Sequence, residues 1–392
     1  MLQMKYARDR DVLGMTDPTT TASAKAGRTP VRLHLTNIVG LGAVRLMQSL
    51  LPALVAQPGY RLEQVYLPNG GELTGLRVFD DATTQSVYKR YLPNSLSRLL
   101  ECTIFGGNFD GATPLLVFGD IPLRCRGQQT VFVQSRLLLR QERTGRQLGA
   151  AKYWIARWLF QRNMKYVKNF IVQTGAMKSQ FIESYPEVAG RVHVIAQPAP
   201  EWLIDSGIKR VRAERAAGAQ LKLFYPAASY PHKNHGLLSR IRAGQEREWS
   251  VAELMLTVPA ASHPNPRARW IKCVDQLEPA AVMEAYQHAD ALLFLSLSES
   301  FGFPLVEAMW IGLPIICPNL PYARALCGDG ARYFDPDDID SLHAAVVGLQ
   351  ASLDAGWWPD WSENLQQIPI SWDEVASSML RLATGAPGEL SG

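Results

Sequence analysis

Two glutamates, Glu299 and Glu307, stand eight residues apart around Gly302 and Pro304 in the stretch LSESFGFPLVEAM (297–309), directly after the apolar run ALLFLS. A strand ending there hands the chain to a loop and then to a helix with Pro304 at its first position, where proline's missing N–H leaves no helical bond unmade. The loop, with Phe301, Gly302 and Phe303, then presents backbone N–H groups at a helix N-terminus, an arrangement suited to phosphate. Gly302 lets backbone approach a ligand with no Cβ in the way. Both carboxylates can face the same side as that anion site. A carboxylate accepts hydrogen bonds from vicinal hydroxyls, so a pair spaced this way could grip two sugar rings of one ligand. Taken alone, the pair also fits a plainer pattern in which Glu307 supports the helix start and Glu299 is solvated. The apolar setting of Glu307 (Leu305, Val306, Ala308, Met309) weighs against that.

A second cluster, YPHKNHGLL (230–238), follows the strand-like LKLFYPA and opens a helix expected to begin near Asn234. Lys233 could neutralise a diphosphate as a point charge. A solvated helix start would look similar. A third, NIVGLG (37–42), is a glycine-bearing turn between the first strand and the first helix. Gly42 there suits close approach to a phosphate or an acceptor, and a tight packing turn equally. The paired aspartates of DPDD (335–338) invite a metal, but Asp335-Pro336 closes a strand, and Asp337 and Asp338 fit a helix start. The remaining histidines are scattered and form no catalytic grouping.

The stretch SLSESFGFPLVEAMWIGLPIICPNLPYARALCGDGARYFDPDD (296–338) resembles the C-terminal donor-site signature of retaining GT-B glycosyltransferases of family 4, with the Glu–seven residues–Glu spacing at 299 and 307 and the G-x-P-x-x-E-A core at 302–308. A looser similarity runs from about residue 115 to the terminal SWDEVASSML. The resemblance implies that Glu307 binds the nucleotide ribose, that Glu299 binds the donor sugar and that the active site needs no metal. It implies a donor site on the C-terminal domain, with Lys233 on the diphosphate, assisted by His232, and with Phe301, Gly302, Phe303, Pro304, Gly42 and Val274 around the ligand. Family members usually carry an arginine about five residues before the lysine; here that position is Ala228. Many also place a histidine after an N-terminal-domain strand. Here Gly119-Asp120 and Gln134-Ser135 follow the two candidate strands, and Asp120 is the expected polar contact on the acceptor side. Two other readings of the fold remain: a non-catalytic nucleotide-sugar-binding or scaffold protein, and a nucleotide-sugar epimerase.

These residues need a framework, and the chain supplies an α/β one. Strand-like apolar runs alternate with helical patterns almost throughout, the mark of parallel α/β architecture. The 392 residues suffice for two domains, at roughly 150 residues each. The alternation breaks at QPAPEWLIDSGIKRVRAERAAGAQ (197–220), then restarts. The expected organisation is a disordered arm over 1–29, an acceptor-binding Rossmann-like domain over 30–200 and a nucleotide-sugar-binding one over 201–370. The terminal helix, 371–386, is expected to pack back on the first domain, and the two domains should face each other across a cleft.

Composition narrows the partners. A net charge of +4 is too mild to imply nucleic acid. The five cysteines are odd in number and scattered, which favours a reducing, cytoplasmic setting. No run reaches the ~20 apolar residues of a membrane span. Residues 136–178 are strongly basic, with Glu142 as the only acid, and Trp154, Trp158, Phe160 and Tyr166 interleave with the cations. That pattern fits an anionic membrane surface met through 152–168 at the inner face of the plasma membrane, a lipid-linked diphosphate, or a helix that simply packs its aromatic side inward. The expected activity is transfer of a sugar, with retention, from a nucleotide-sugar to a hydroxyl of a glycan or lipid-linked acceptor in surface-polysaccharide synthesis.

Overall fold

The computed structural model describes residues 27–386 apart from 39, 76–77, 91, 93, 140–149, 209–215 and 217. The arm expected over 1–29 falls, as far as residue 26, outside the described residues, as do Arg140, Glu142, Arg143 and Arg146 of the basic run.

Seven parallel strands form the first sheet: β1 (Thr29–His34), β2 (Tyr60–Pro68), β3 (Thr84–Tyr88), β4 (Leu115–Val117), β5 (Gln129–Phe132), β6 (Val167–Val172) and β7 (Val192–Val194). Their spatial order is β3-β2-β1-β4-β5-β6-β7. Six more form the second: β8 (Leu221–Tyr225), β9 (Val251–Leu256), β10 (Ile271–Cys273), β11 (Ala291–Leu293), β12 (Ile315–Pro318) and β13 (Arg332–Phe334), in the order β10-β9-β8-β11-β12-β13. All the pairings are parallel. Each sheet grows outward from its first strand and then jumps to that strand's other side. The switch points lie at β1/β4 and β8/β11, and ligand crevices open at the carboxyl ends there.

Strands covered on both faces read as near-continuous apolar runs, and β11 and β12 are buried at every position. Arg32 is an exception inside β1. Its guanidinium is buried, and donates to the carbonyls of Phe109, Asp110 and Thr113 at 3.0–3.2 Å. The helices Leu41–Ala56 and Trp372–Thr384 cover one face of the first sheet, sharing a core with Val31, Leu33 and Phe132. On the other face, Phe160, Phe170, Phe181 and Tyr185 form an aromatic cluster with ring centroids 5.2–5.7 Å apart. The terminal helix returns to the first domain because its apolar stripe (Trp372, Val375, Ala376, Met379, Leu380) is buried there. Trp372 Nε1 donates to the Ala199 carbonyl at 3.1 Å and Asn169 to Leu382 at 3.1 Å.

Three local readings of the sequence are corrected. The segment after β8 is not an α-helix from Asn234 but two 3-10 turns, Pro231–Lys233 and His235–Arg240. Asn234 itself sits between them at φ 56, a left-handed conformation that asparagine tolerates and an α-helix does not. Strands β2 and β3 and the helix Asn94–Cys102 lie where no element was expected. Strand β3, TQSVY, is a half-exposed edge strand, so little apolar patterning marks it. Pro304 is the second helical residue rather than the first, since the helix Phe303–Ile311 begins at Phe303.

Candidate active site

The loops at the β8/β11 switch point are stitched together by backbone. Leu297 N–H and the Ser296 hydroxyl both donate to the His232 carbonyl, at 2.7 and 3.2 Å. The buried Tyr225 hydroxyl donates to the Lys233 carbonyl at 2.8 Å, and Tyr322 donates to the Ser296 carbonyl. This framework brings Lys233 Nζ to 2.5 Å from Glu299 Oε1, with both side chains largely shielded from solvent. In so dry a setting a charge pair is far stronger than at the surface.

Gly302 caps the helix Phe303–Ile311 at φ +102, a conformation that other residues rarely adopt. Its carbonyl accepts from Leu305 and Val306 N–H at 2.9 and 3.4 Å. The N–H groups of Gly302 and Phe303 are not taken up by protein acceptors among the described residues. Phe301 is buried, its ring edge-on to Phe303 at 5.2 Å, so it can offer a ligand only its backbone. Phe303 packs against the cores of both domains.

Glu307 lies just over one turn into that helix and is only 8% exposed. Tyr286 Oη donates to its Oε2 at 2.7 Å. Burial pushes the Glu307 carboxyl up to about 7, and the Tyr286 bond only partly opposes this. Burial and the neighbouring Lys233 lower His232, whose ring stacks on Tyr230 at 5.7 Å. The same two causes lower His235 to about 4. Both therefore favour the neutral form.

Across the cleft, Gly42 lies in the first turn of the helix Leu41–Ala56. A Cβ built there would meet no atom within 4 Å, so packing does not require glycine. Asp120 is in a left-handed conformation, φ 63, and its Oδ1 accepts the N–H groups of Gln134 and Ser135 at 2.6 and 2.9 Å. Burial raises its carboxyl. Asp120 thus holds the turn that follows β5. Val274 closes β10, two strands out from β8, and lines a separate cavity of about 430 Å³ with Met255, Leu277 and Ala281. The aspartates of 335–338 are engaged in turns: Asp335 accepts from Asp337 N–H, and Asp338 caps the helix Ile339–Asp354.

Two features escaped the sequence reading. The first is Arg136, which the turn held by Asp120 aims across the cleft. Its Nη1 donates to the Glu299 carbonyl at 3.2 Å, and its Nε and Nη2 fork the Gln180 carboxamide oxygen at 3.1 and 2.9 Å. Thr174 adds a long contact, 3.5 Å, to the Ser300 carbonyl. The available signal was position, since Arg136 lies in the loop just past a strand's carboxyl end, yet it reads as one cation in a basic run. The second is a buried network at the β1/β4 switch point. His34 Nε2 lies 2.9 Å from Glu101 Oε1, Arg90 Nη2 lies 2.7 Å from Glu101 Oε2, and Arg90 also reaches Asn37. Burial alone would raise Glu101, but His34, Thr36 and Arg90 outweigh it and hold the carboxyl near 2.

Residues 270–349 match the family model described as "Glycosyl transferases group 1". The O-antigen chain mannosyltransferase B of Escherichia coli is 31% identical over 91 residues, 23% of this chain and 23% of that protein. The serotype-specific mannosyltransferase WbdA of E. coli is 24% identical over 233 residues, 59% of this chain and 27% of that protein. The matched stretches thus span about a quarter of each relative's length. Among solved structures, a sucrose-phosphate synthase from Thermosynechococcus elongatus superposes with a TM-score of 0.63 at 14% identity, covering 91% of this chain and 99% of that one. At that identity the likeness speaks for the fold, the two-domain GT-B architecture.

Proposed function

We propose that this chain is a group 1 glycosyltransferase that moves a hexosyl unit from a nucleotide-sugar to a hydroxyl of a glycan or lipid-linked acceptor in surface-polysaccharide synthesis. The observation that carries this reading is the arrangement at the β8/β11 switch point. The Lys233–Glu299 pair joins the loops after β8 and β11, the N–H groups of Gly302 and Phe303 open the helix that follows, and the buried Glu307 carboxyl lies just over one turn into that helix. Glu307 accepts from the ribose hydroxyls and Glu299 from those of the donor sugar. The diphosphate lies between them, on Lys233 and the helix N-terminus.

Catalysis is then electrostatic. As the glycosyl bond breaks, negative charge grows on the leaving diphosphate, and donors fixed in advance stabilise it at no reorganisation cost. The acceptor hydroxyl attacks from the same face, through an oxocarbenium-like state, with retention. Its proton passes to a phosphate oxygen of the leaving group. The protein's cations and N–H groups supply the neutralisation, with no metal. Closure of the two domains excludes water and so limits hydrolysis of the donor.

The acceptor side rests on the helix Ala150–Asn163. Trp154 and Trp158 are 67% and 46% exposed there, and Arg162 lies over the Trp158 ring at 5.5 Å. Aromatic side chains interleaved with cations suit the interface of an anionic membrane, where a lipid-linked acceptor resides. No helix among the described residues is long and apolar enough to cross a membrane. On this reading the enzyme works as a peripheral protein at the cytoplasmic face.

A thermal-shift panel of GDP-, UDP-, dTDP- and ADP-sugars tests the donor site, with mannosyl donors first because both relatives above are named mannosyltransferases. A ligand at about 100 times its dissociation constant stabilises by roughly 2.7 kcal/mol. One base shifting wild type but not Glu307→Ala is the expected result. No shift with any donor, in the presence or absence of lipid-linked acceptor, would overturn the reading.

A further inference from the structure

We infer that Arg136, from the N-terminal domain, is the second cation of the donor-phosphate site and closes on the diphosphate from across the cleft. This rests on the donor site just described and names a residue for it. The argument begins with charge. A donor diphosphate carries two negative charges and gains a third as the glycosyl bond breaks. On the C-terminal side the cation is Lys233, and Glu299 already compensates its charge at 2.5 Å. Strand β8 leads into Ala227 and Ala228, which bring no charge. His232 favours its neutral form. The helix N-terminus contributes only a partial charge. The crevice as built from the C-terminal domain alone is short of positive charge for its ligand.

Arg136 supplies what is missing, and its geometry fits the task. It contacts the backbone carbonyl of Glu299 at 3.2 Å while Lys233 contacts the carboxylate of the same residue, so the two cations meet the backbone and the side chain of one residue. Its tether, the Gln180 carboxamide oxygen, is neutral, and the carboxylate that acts on its charge is that of Glu299, which Lys233 already shares. Among the described residues no carboxylate pairs with it. A guanidinium has five N–H donors. Three are engaged, so two remain, one on each terminal nitrogen, for phosphate oxygens. The turn that aims it is itself fixed by Asp120, through the N–H groups of Gln134 and Ser135. Because Arg136 belongs to the other domain, the full cation set exists only when the domains are closed.

The test measures binding of GDP against GMP, and of UDP against UMP, to wild type, Arg136→Gln and Arg136→Lys, alongside steady-state turnover. A contact to the diphosphate predicts that Arg136→Gln weakens the diphosphate by about 10-fold to 100-fold while the monophosphate changes by less than about 3-fold. Turnover should fall about 100-fold. Arg136→Lys, which keeps the charge but loses the fork, should recover part of both losses. A purely structural latch would weaken di- and monophosphate alike, and that result, or no change in either, would overturn the inference. If wild type binds the diphosphate and Arg136→Gln binds it equally well, the inference fails and the glycosyltransferase reading stands. If wild type binds no nucleotide, both fall.

Discussion

At the scale of the residue, the nucleotide contact proposed for Glu307 would oppose stability. Its carboxyl titrates near 7 in the folded protein, against an ordinary value of 4.5, because burial penalises the charged form. The native state therefore holds a proton over that window which the unfolded chain gives up. Stability is unpenalised below about 4.5 and declines as pH rises through 7. Glu307→Gln keeps the site neutral at every pH. It should be more stable than wild type by on the order of 3 kcal/mol at pH 8, with the gain vanishing by pH 4.5, as denaturant melts across pH would record. The same variant should lose nucleotide affinity, since a carboxamide presents a weaker acceptor to ribose hydroxyls. Wild-type donor affinity should rise with pH up to about 7, as the carboxylate forms, and then level off. Stability that did not respond to pH in wild type relative to Glu307→Gln would show that the carboxylate is not desolvated.

At the scale of the element, the loop before the helix Phe303–Ile311 depends on one backbone conformation. Gly302 lies at φ +102, where an L side chain is strained, and an added Cβ would come within 3.3 Å of Leu305 Cδ1. Gly302→Ala should cost about 1–3 kcal/mol and also push the helix N-terminus away from the phosphate. Melting temperature and donor KM should both worsen, whereas Gly42→Ala, in open space, should leave the melting temperature unchanged. A Gly302→Ala protein with wild-type stability would contradict the left-handed cap. Elements of this kind were legible in the sequence where the signal is local. ALLFLSLSESFGFPLVEAM contains a strand, a glycine, a proline and a helix start within nineteen letters, and β11 and β12 are apolar throughout. The segment after β8 was not legible as it folds. Asn234 at positive φ interrupts it, and its Nδ2 donates to the Pro336 carbonyl 102 residues away, a contact that no local pattern encodes.

At the scale of the whole molecule, two switch points face each other, and few side-chain bonds among the described residues bridge them. Arg45 approaches Glu278 at 3.7 Å, Phe303 touches both cores, and Arg136 and Thr174 reach the 299–300 backbone. So sparse a seam suits hinge closure around a ligand. The exposed Trp154, Ile155 and Trp158 lie on the N-terminal domain, with Arg157, Arg162, Lys165 and Lys168 along the same stretch. Replacing those four cations with glutamate should abolish binding to vesicles containing anionic lipid and reduce turnover of a lipid-linked acceptor. Turnover of a soluble acceptor analogue should be spared. Flotation and activity that survive all four changes would remove the membrane from the account.

By itself the sequence determined the α/β class, the restart of the pattern after residue 220 and the loop-to-helix passage around Gly302. Those features are written in contiguous residues, through periodicity and through one loop joined to one helix. Only the tertiary structure decided what Glu307 and Glu299 are bonded to. Tyr286 meets Glu307 across 21 residues, and Arg136 meets Glu299 across 163. It also gave Asp120 Oδ1 the backbone N–H groups of Gln134 and Ser135, in the turn ahead of Arg136. The physical reason is the same in each case. A charge's role depends on its partners and its dielectric surroundings, and in a doubly wound fold these come from the carboxyl ends of strands that are distant in the chain.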